Sequence, residues 1–231
     1  LDEADEMLSM GFKSEIDRVL AEVPLDRKIY LFSATLSEKV KKVTKAYMQK
    51  PLVIATSSAN KAADTVKHIY YISNKNKRYD IIKNIIDLNR DIYTIVFCRT
   101  RRETKDISAN LIRDNYKAKV LNGDLSQSER DEVMDQFRKK YINILVATDV
   151  ASRGIDVNNL SHIINYNLPD DPEVYVHRSG RTGRAGNEGL SIVFISKREK
   201  RRIKEIEKLS KILFIENQIP TESDVFKSQI N

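Results

Sequence analysis

The sequence predicts an α/β fold in which helices cover both faces of a parallel sheet. Short runs of β-branched and apolar residues alternate with amphipathic stretches of about a dozen residues, a pattern typical of βαβ units. Two of the runs, Ile95–Phe97 and Ile144–Val146, are entirely apolar, which is expected of strands buried on both faces. We expect right-handed crossovers between the strands.

The first part of the chain, residues 1–56, ends in a strand–helix–strand pattern. Residues 27–32 and 52–55 predict strands. Residues 37–49 predict a helix, because Ser37 can cap it and Val40, Val43 and Tyr47 share one face. Residues 57–65 are small and polar without periodicity, so they predict a linker between two domains.

The second part, residues 66–214, repeats strand and helix regularly. The predicted strands are 66–72, 94–98, 118–121, 143–147, 162–166 and 190–195, and the predicted helices are 77–88, 102–115, 126–138 and 172–179.

A basic amphipathic helix follows at residues 197–208, with an apolar stripe of Ile203, Ile206, Leu209 and Leu213. Its basic face could flank a site for a polyanionic partner, although a solvated helix packed on the sheet is the favoured interpretation. Residues 215–231 form a polar tail.

The composition narrows the class of protein. The 231 residues are 41% hydrophobic and 32% charged, which suffices for a core and excludes wholesale disorder. The single cysteine, Cys98, excludes an intrachain disulfide and a cysteine-based zinc site, and a reducing cytoplasmic location is expected. The net charge of +7 permits a polyanionic partner. No run approaches the ~20 apolar residues of a membrane span, so no membrane partner is expected.

Two loops after predicted strands are rich in charged residues and glycine. Residues 147–156, ATDVASRGID, hold two carboxylates, an arginine and a glycine, although a solvated turn is an equally good interpretation. Residues 177–186 hold Arg178, Arg181 and Arg184 at a spacing of three, with glycines between them. Guanidinium groups match phosphate oxygens bidentately, so this loop predicts a phosphate site rather than a basic surface loop.

Further short motifs carry little information individually. Asp2 and Glu3 form a carboxylate pair of the kind that holds magnesium and orients water in nucleotidases. Residues 33–35, SAT, follow a predicted strand and could be a simple turn.

Taken together, the motifs resemble the DEAD-box ATP-dependent RNA helicase family. LDEAD, SAT, IVFCRT, NGDLSQSER, ATDVASRGID and HRSGRTGR occur in one order between Leu1 and about Phe194. Residues 219–231 are more weakly similar to the bacterial cold-shock branch. The resemblance implies two RecA-like domains that bind ATP and RNA between them, with the end of the first at 1–56 and the second at 66–214. Because the chain begins with Leu1, it is expected to be a fragment whose Walker A loop lies upstream.

The resemblance also implies roles for individual residues. Asp2 would hold Mg²⁺ through water, and Glu3 would activate the attacking water. Arg181 and Arg184 would be catalytic at the γ-phosphate and, with Gly154 and Asp156, would bind ATP. The residues expected to couple hydrolysis to RNA binding are Asp5, Ser33, Thr35 and His177.

RNA contacts in the family are made to the sugar-phosphate backbone, which implies low sequence specificity. The matching positions are Arg99, Thr100, Gly123, Asp124, Gln127, Arg130, Thr148, Asp149 and Arg153. Two positions depart from the common pattern: Asn122 replaces a histidine, and Ser152 replaces an alanine. Little change is expected from either.

The function implied is ATP-dependent local unwinding of RNA duplexes and remodelling of RNA–protein complexes, with ATP and Mg²⁺ as cofactors. The 231 residues alone are expected to be an inactive monomer, and ribosomal or RNA-decay proteins are candidate partners. The alternative is a non-catalytic RNA- or partner-binding module; a related DNA helicase is a third hypothesis.

Overall fold

A computed structural model of the chain divides into two compact units, unit 1 (Leu1–Lys61) and unit 2 (Ala62–Asn231). The structure describes all residues except 10, 25, 34, 35, 37, 55–64, 153–156, 158, 184–186 and 231, and it leaves out the side chains of residues 6, 9, 152, 229 and 230. The predicted linker, 57–65, therefore lies outside the described residues except for Thr65.

Unit 1 is built from three described helices, α1 (Ala4–Ser9), α2 (Lys13–Glu22) and α3 (Glu38–Tyr47). They bury Leu8, Ile16, Leu20, Val40 and Val43 in one cluster. The prediction of a helix at 37–49 is thus confirmed with slightly shorter bounds, and the shared face of Val40 and Val43 is the buried one. The predicted cap, Ser37, lies outside the described residues.

The two strands predicted in unit 1 are not found among its described residues. Residues 30–32 run beside the first residue, because Leu1 N donates to Tyr30 O (2.8 Å) and Phe32 N donates to Leu1 O (2.8 Å), but no strand forms at residues 27–32. Residues 51–54 form no strand either, and the Leu52 side chain is 85% exposed. Apolar runs predicted both strands, yet a strand also needs a ladder partner, which the run itself does not specify.

Unit 2 contains a seven-stranded, all-parallel sheet, which confirms the predicted fold class. The strands are β1 (Val66–Ile72), β2 (Thr94–Phe97), β3 (Ala118–Leu121), β4 (Ile144–Ala147), β5 (His162–Asn165), β6 (Gly189–Ile195) and β7 (Phe214–Glu216). Their order is β3-β4-β2-β5-β6-β1-β7. The helices are α4 (Arg78–Leu88), α5 (Arg101–Arg113), α6 (Gln127–Arg138), α7 (Asp149–Ser152), α8 (Pro172–Ser179), α9 (Lys200–Ser210) and α10 (Glu222–Ile230).

The sheet is buried on both faces, as the continuous apolar runs predicted. In β2, Val96 joins a cluster with α4 and α5, whereas Ile95 and Phe97 join a cluster with α6 on the opposite face. All four residues of β2 are buried, as are all four of β4. Because side chains alternate between the two faces of a strand, residues of one strand pack into two separate cores, one on each face of the sheet.

Two elements occupy the segment predicted as a polar tail. Strand β7 pairs with β1 in the register His68↔Phe214 and Tyr70↔Glu216. Helix α10 lies against α4, and Asn84 Nδ2 donates to Pro220 O (2.8 Å) just before it. Phe214 is buried, but most of the residues after it are exposed. This exposure explains why the composition of the segment is polar although it forms an edge strand and a helix.

The basic helix is α9, preceded by a 3₁₀ turn at Lys197–Glu199. Ile203 and Ile206 are buried against the sheet, in line with the favoured interpretation. The rest of the predicted stripe is wrong, because Leu209 and Leu213 are exposed. Leu209 lies within the helix but off its buried face, which is formed by Ile203, Ile206 and Ser210. Leu213 lies after the end of the helix, where Lys211 adopts a left-handed conformation (φ 55°).

No helix among the described residues is both long enough and apolar enough to cross a membrane.

A buried polar chain links β1, α8 and β6. The Nδ1 atom of His68 lies 2.8 Å from the Tyr175 hydroxyl, which lies 2.9 Å from Ser191 Oγ. Burial lowers the pKa of His68 to about 4, so the ring is neutral in the folded protein at pH 7. His162 in β5 is buried as well, and its pKa is also lowered to about 4.

The neutral His68 makes the stability of unit 2 depend on pH. The unfolded chain protonates this residue below pH ~6.5, whereas the folded chain resists protonation down to about 4. Stability is therefore fully present above pH ~6.5 and falls as the pH approaches 4. Between pH 7.5 and 5, His68 alone should lower the free energy of unfolding by about 2 kcal/mol.

Urea unfolding of the wild type and His68→Gln at both pH values measures this contribution. The drop in unfolding free energy between the two pH values should be smaller in the variant by that amount. An equal drop in both proteins would contradict the assignment, whatever the variant does to stability at pH 7.5.

Candidate functional site

The predicted site residues of unit 2 follow three strands that are neighbours in the sheet. β3, β4 and β2 lie side by side and run parallel, so the loops after them emerge at one edge. Ligands of open parallel sheets bind at this carboxyl edge. The structure thus brings together Arg99, Thr100, Gly123, Asp124, Thr148 and Asp149, and it carries Gln127 and Arg130 on the first turn of α6.

After β2, the backbone turns directly into α5. The Thr100 side chain caps this helix by accepting from Glu103 N (3.1 Å). Arg99 N donates to Asn167 Oδ1 (3.0 Å), and its guanidinium Nη2 donates to Leu168 O (3.1 Å) and to Asp170 Oδ1 (3.0 Å). Arg99 is therefore oriented by the segment that follows β5, with its side chain 49% exposed.

After β3, the side chain of Asn122 stabilises the turn through buried hydrogen bonds. Its buried amide donates to Thr104 Oγ1 (2.9 Å) and accepts from Asp124 N (2.9 Å). Asparagine supplies one donor group and one acceptor here, which fits the expectation that replacing histidine changes little.

The Asp124 carboxylate is paired with two cations from α5. Arg101 Nη1 lies 2.9 Å from one oxygen and Lys105 Nζ lies 2.6 Å from the other. Hydrogen bonding by Lys105 is the main cause that holds the pKa of Asp124 below its ordinary value. The Asp124 carboxylate holds Arg101 and Lys105 close together, where both could bind an anion. Neither cation is among the residues predicted from the sequence.

The first turn of α6 is exposed and well capped. Ser126 and Glu129 form a reciprocal capping box, which fixes where the helix begins. Gln127 is exposed and donates to Asp131 Oδ1 (2.8 Å), whereas Arg130 is half-buried. Because α6 follows the turn after β3, both side chains lie on the helix turn nearest the carboxyl end of that strand.

After β4, Thr148 is buried and Asp149 begins α7. Both Asp149 oxygens accept from the buried Arg178, from Nε at 2.6 Å and from Nη2 at 2.8 Å. The remaining Nη1 donates to Asn165 Oδ1 (2.9 Å) and Asn167 O (3.2 Å).

This bidentate pair joins the loop after β4 to the last turn of α8. The Arg178 guanidinium also lies over the Phe97 ring, 4.9 Å from its centroid. The family pattern implies an RNA contact for Asp149, and Arg178 belongs to a set of three evenly spaced arginines, so neither pattern predicts this pair. Side chains far apart in sequence leave no local signal of such a contact.

Arg181 follows α8 in a tightly held turn. Gly180 ends the helix, and Thr182 Oγ1 donates to the Leu160 carbonyl. Gly183 has φ +68°, and a Cβ there would lie 2.4 Å from Val66 Cγ2, so only glycine fits this turn without a shift. Arg181 is half-buried and lies in this turn between Gly180, which ends the helix, and Thr182, which bonds to Leu160.

In unit 1, the carboxylates of residues 2, 3 and 5 differ in exposure. Asp2 and Glu3 are exposed, and Glu3 N donates to Asp2 Oδ1 (2.9 Å). Asp5 is buried in α1. Ala4 N donates to Phe32 O (3.1 Å), so the backbone puts Ser33 next to the amino end of α1.

Five of the predicted site residues lie outside the described residues: Thr35, Arg153, Gly154, Asp156 and Arg184. Within the part of the chain that is described, no cluster of three or more His, Cys, Asp or Glu side chains could enclose a metal ion.

Comparisons with known proteins agree with the order of the motifs. Residues 1–43 match the family model for DEAD/DEAH box helicases, and residues 77–186 match the model for the helicase conserved C-terminal domain. The ATP-dependent RNA helicase CshA of Limosilactobacillus reuteri is 40% identical over 230 residues, covering all of this chain. The chain spans 46% of the length of that relative.

Solved structures give the same assignment. S. cerevisiae Dbp5, bound to RNA and ADP BeF3, is 30% identical with a TM-score of 0.88, over 100% of this chain and 61% of its own. The C-terminal domain of the DEAD-box protein Dbp5 is 30% identical with a TM-score of 0.63, over 72% of this chain and 97% of its own. This chain belongs to the DEAD-box helicase family, and its similarity to CshA, which extends along the whole of this chain, supports the cold-shock branch.

Proposed function

We propose that this chain forms part of an ATP-dependent RNA helicase that unwinds short RNA duplexes and remodels RNA–protein complexes in the cytoplasm. The observation that carries the proposal is the carboxyl edge of unit 2, where three neighbouring strands end in the residues that match the RNA-contacting positions of the family. One bidentate ion pair joins that edge to the helix that precedes Arg181.

RNA would bind this edge through its sugar-phosphate backbone. The exposed donors include the guanidinium groups of Arg99 and Arg101, the Lys105 ammonium group and the Gln127 amide. Contacts to phosphates fix the position of a strand but do not read its sequence, so low sequence specificity is expected. Contacts to 2′-hydroxyls would distinguish RNA from DNA.

ATP would be hydrolysed with groups from both units. The exposed carboxylates of Asp2 and Glu3 are the oxygen donors that suit Mg²⁺, which would neutralise charge on the phosphates. Asp2 would bind the ion through water, and Glu3 would accept the proton of the attacking water. Arg181, with Arg184, would stabilise charge that develops on the γ-phosphate.

The Asp149–Arg178 pair would connect these two activities within unit 2. RNA bound to the loop after β4 would fix Asp149, which holds Arg178 in the last turn of α8. His177 precedes Arg178 in that turn, and Arg181 follows shortly after it. We propose that His177 completes the coupling with Asp5, Ser33 and Thr35.

The test is ATP hydrolysis by the complete polypeptide that contains this sequence. Single-stranded RNA should stimulate the rate, and DNA of the same sequence should not compete for binding. The 231 residues alone should show no hydrolysis, because their sequence contains no glycine-rich Gly-Lys-Ser/Thr loop to hold the β-phosphate. Hydrolysis by these residues at the rate of the complete polypeptide would overturn the proposal.

A non-catalytic RNA- or partner-binding module remains the second candidate. It is favoured by the structure of unit 2, which has its own cores on both faces of its sheet. If the complete polypeptide bound RNA with the same affinity with and without ATP, and did not hydrolyse ATP, this function would replace the first.

A further inference from the structure

Two arginines from different elements converge on one carboxylate oxygen beside the carboxyl edge of β2. Arg99 Nη2, from the loop after β2, and Arg202 Nη2, from α9, each lie 3.0 Å from Oδ1 of Asp170. Arg202 Nη2 also donates to Pro169 O at 2.7 Å. A single oxygen thus receives guanidinium donors from two different elements.

This geometry is one that a phosphate oxygen would also satisfy. Guanidinium N–H groups bind carboxylate and phosphate oxygens with the same donor geometry. The Asp170 side chain is 78% exposed, and those of Arg99 and Arg202 are 49% and 30% exposed, so the oxygen is accessible from solvent. Exposed ion pairs contribute little to stability, so an incoming anion can displace Asp170 at low cost.

Arg202 is distinct from the other cations of its helix. Lys200 pairs with Glu216, Lys204 with Glu207 and Arg201 with Glu205, and none of these glutamates belongs to the loops after β2 and β5. Arg202 Nη1 likewise lies 3.8 Å from Glu199, but its Nη2 reaches the loop after β5. Arg202 shares a carboxylate with Arg99, which the family pattern matches to an RNA contact. One residue of the basic helix is therefore continuous with the candidate RNA surface.

We propose that Arg99 and Arg202 form a subsite for a backbone phosphate of RNA and that Asp170 occupies it when RNA is absent. The inference rests on the proposed RNA-binding function of unit 2 and adds α9 to its surface. Asp170 acts as an internal competitor, which lowers the affinity for RNA and raises the selectivity for strands that already contact the rest of the edge.

The test measures binding of a fluorescent single-stranded oligouridylate to the full 231-residue chain at several salt concentrations. Arg202→Gln should weaken binding about 5-fold at low salt and reduce the slope of log affinity against log salt by about 0.7, the value for one phosphate contact on a single strand. Asp170→Asn should tighten binding by a similar factor, because the competitor is removed.

Two neighbours provide matched controls with the same charge changes. Arg201→Gln and Glu205→Gln remove a pair on the exposed side of the same helix, where Arg201 is 90% exposed. Each should change the affinity less than 2-fold. Thermal unfolding checks that the variants fold, and the gain in affinity of Asp170→Asn tests the subsite even if Arg202→Gln is unstable.

The outcomes separate the subsite from the proposed function. If the wild type binds RNA and Arg202→Gln behaves like Arg201→Gln, or Asp170→Asn like Glu205→Gln, the subsite is wrong and the RNA-binding function stands. If the wild type does not bind the oligouridylate at any salt concentration, both are overturned.

Discussion

Replacing Arg181 with alanine is expected to reduce RNA-stimulated ATP hydrolysis by about 10³-fold or more in the complete polypeptide that contains this sequence. A guanidinium that meets the γ-phosphate stabilises charge that exists mainly in the transition state, so its loss lowers kcat more than it raises KM. The hydrogen bond from Thr182 to the Leu160 carbonyl and the conformation of Gly183 both remain in the variant, so the turn and the fold should survive the change.

Steady-state kinetics at saturating RNA measure the effect. Arg181→Lys should remain strongly impaired, since an ammonium group keeps the charge but loses the planar fork. Arg201→Ala, on the exposed side of α9, is the control and should leave the rate unchanged. A loss of less than 10-fold in Arg181→Ala, with RNA binding intact, would remove Arg181 from the catalytic machinery.

Replacing Arg178 with alanine should have the largest effect on the stability of unit 2. The change removes a buried bidentate pair, two further hydrogen bonds and the contact with Phe97. Breaking such a pair removes the guanidinium from which both Asp149 oxygens accept, so we expect a loss of about 3 kcal/mol, toward the lower end of the range for buried pairs because Asp149 is partly exposed. For a unit of this size, the melting temperature should fall by roughly 10 °C.

Denaturant and thermal unfolding of the 231-residue chain give both quantities. Arg102→Ala removes an exposed pair with Asp106 at the start of α5 and should change stability by less than about 0.5 kcal/mol. Adding Asp149→Asn to Arg178→Ala should cost little more, because the pair is already broken. Similar losses in Arg178→Ala and Arg102→Ala would show that the buried pair contributes no stability.

Most elements of unit 2 could be predicted because the longer strands are rich in apolar and β-branched residues and are bounded by turn residues. Strands at 66–72 and 118–121 and the helix at 172–179 have the predicted bounds. The same rule was wrong at 27–32 and 52–55, because hydrophobicity does not reveal whether a ladder partner is present. It did not predict β7, since three residues with only one buried side chain are too short for a periodic signal.

The candidate site, like the fold, could be predicted from the sequence only in part. The order of the motifs selected Arg99, Asp124, Asp149 and Arg181 from the sequence, and the parallel sheet brings the loops of the first three to one edge. The partners of these residues could not be predicted, because the pairing of Asp149 with Arg178 and the convergence on Asp170 depend on tertiary geometry. The motifs predict which residues belong to the site, but they do not predict which side chains pair with one another.

The position of β1 in the sheet has a consequence for how unit 2 folds. Of the strands of unit 2, β1 is synthesised first, yet its partners among the described residues are β6 and β7, as in the register Val66↔Gly189. Its hydrogen-bonding edges stay empty until nearly the entire unit has been synthesised. Pairing between segments so far apart in the sequence is slow, because the chain loses conformational entropy on closing the loop before stabilising contacts form. During translation β1 is thus an exposed apolar segment that chaperones can bind.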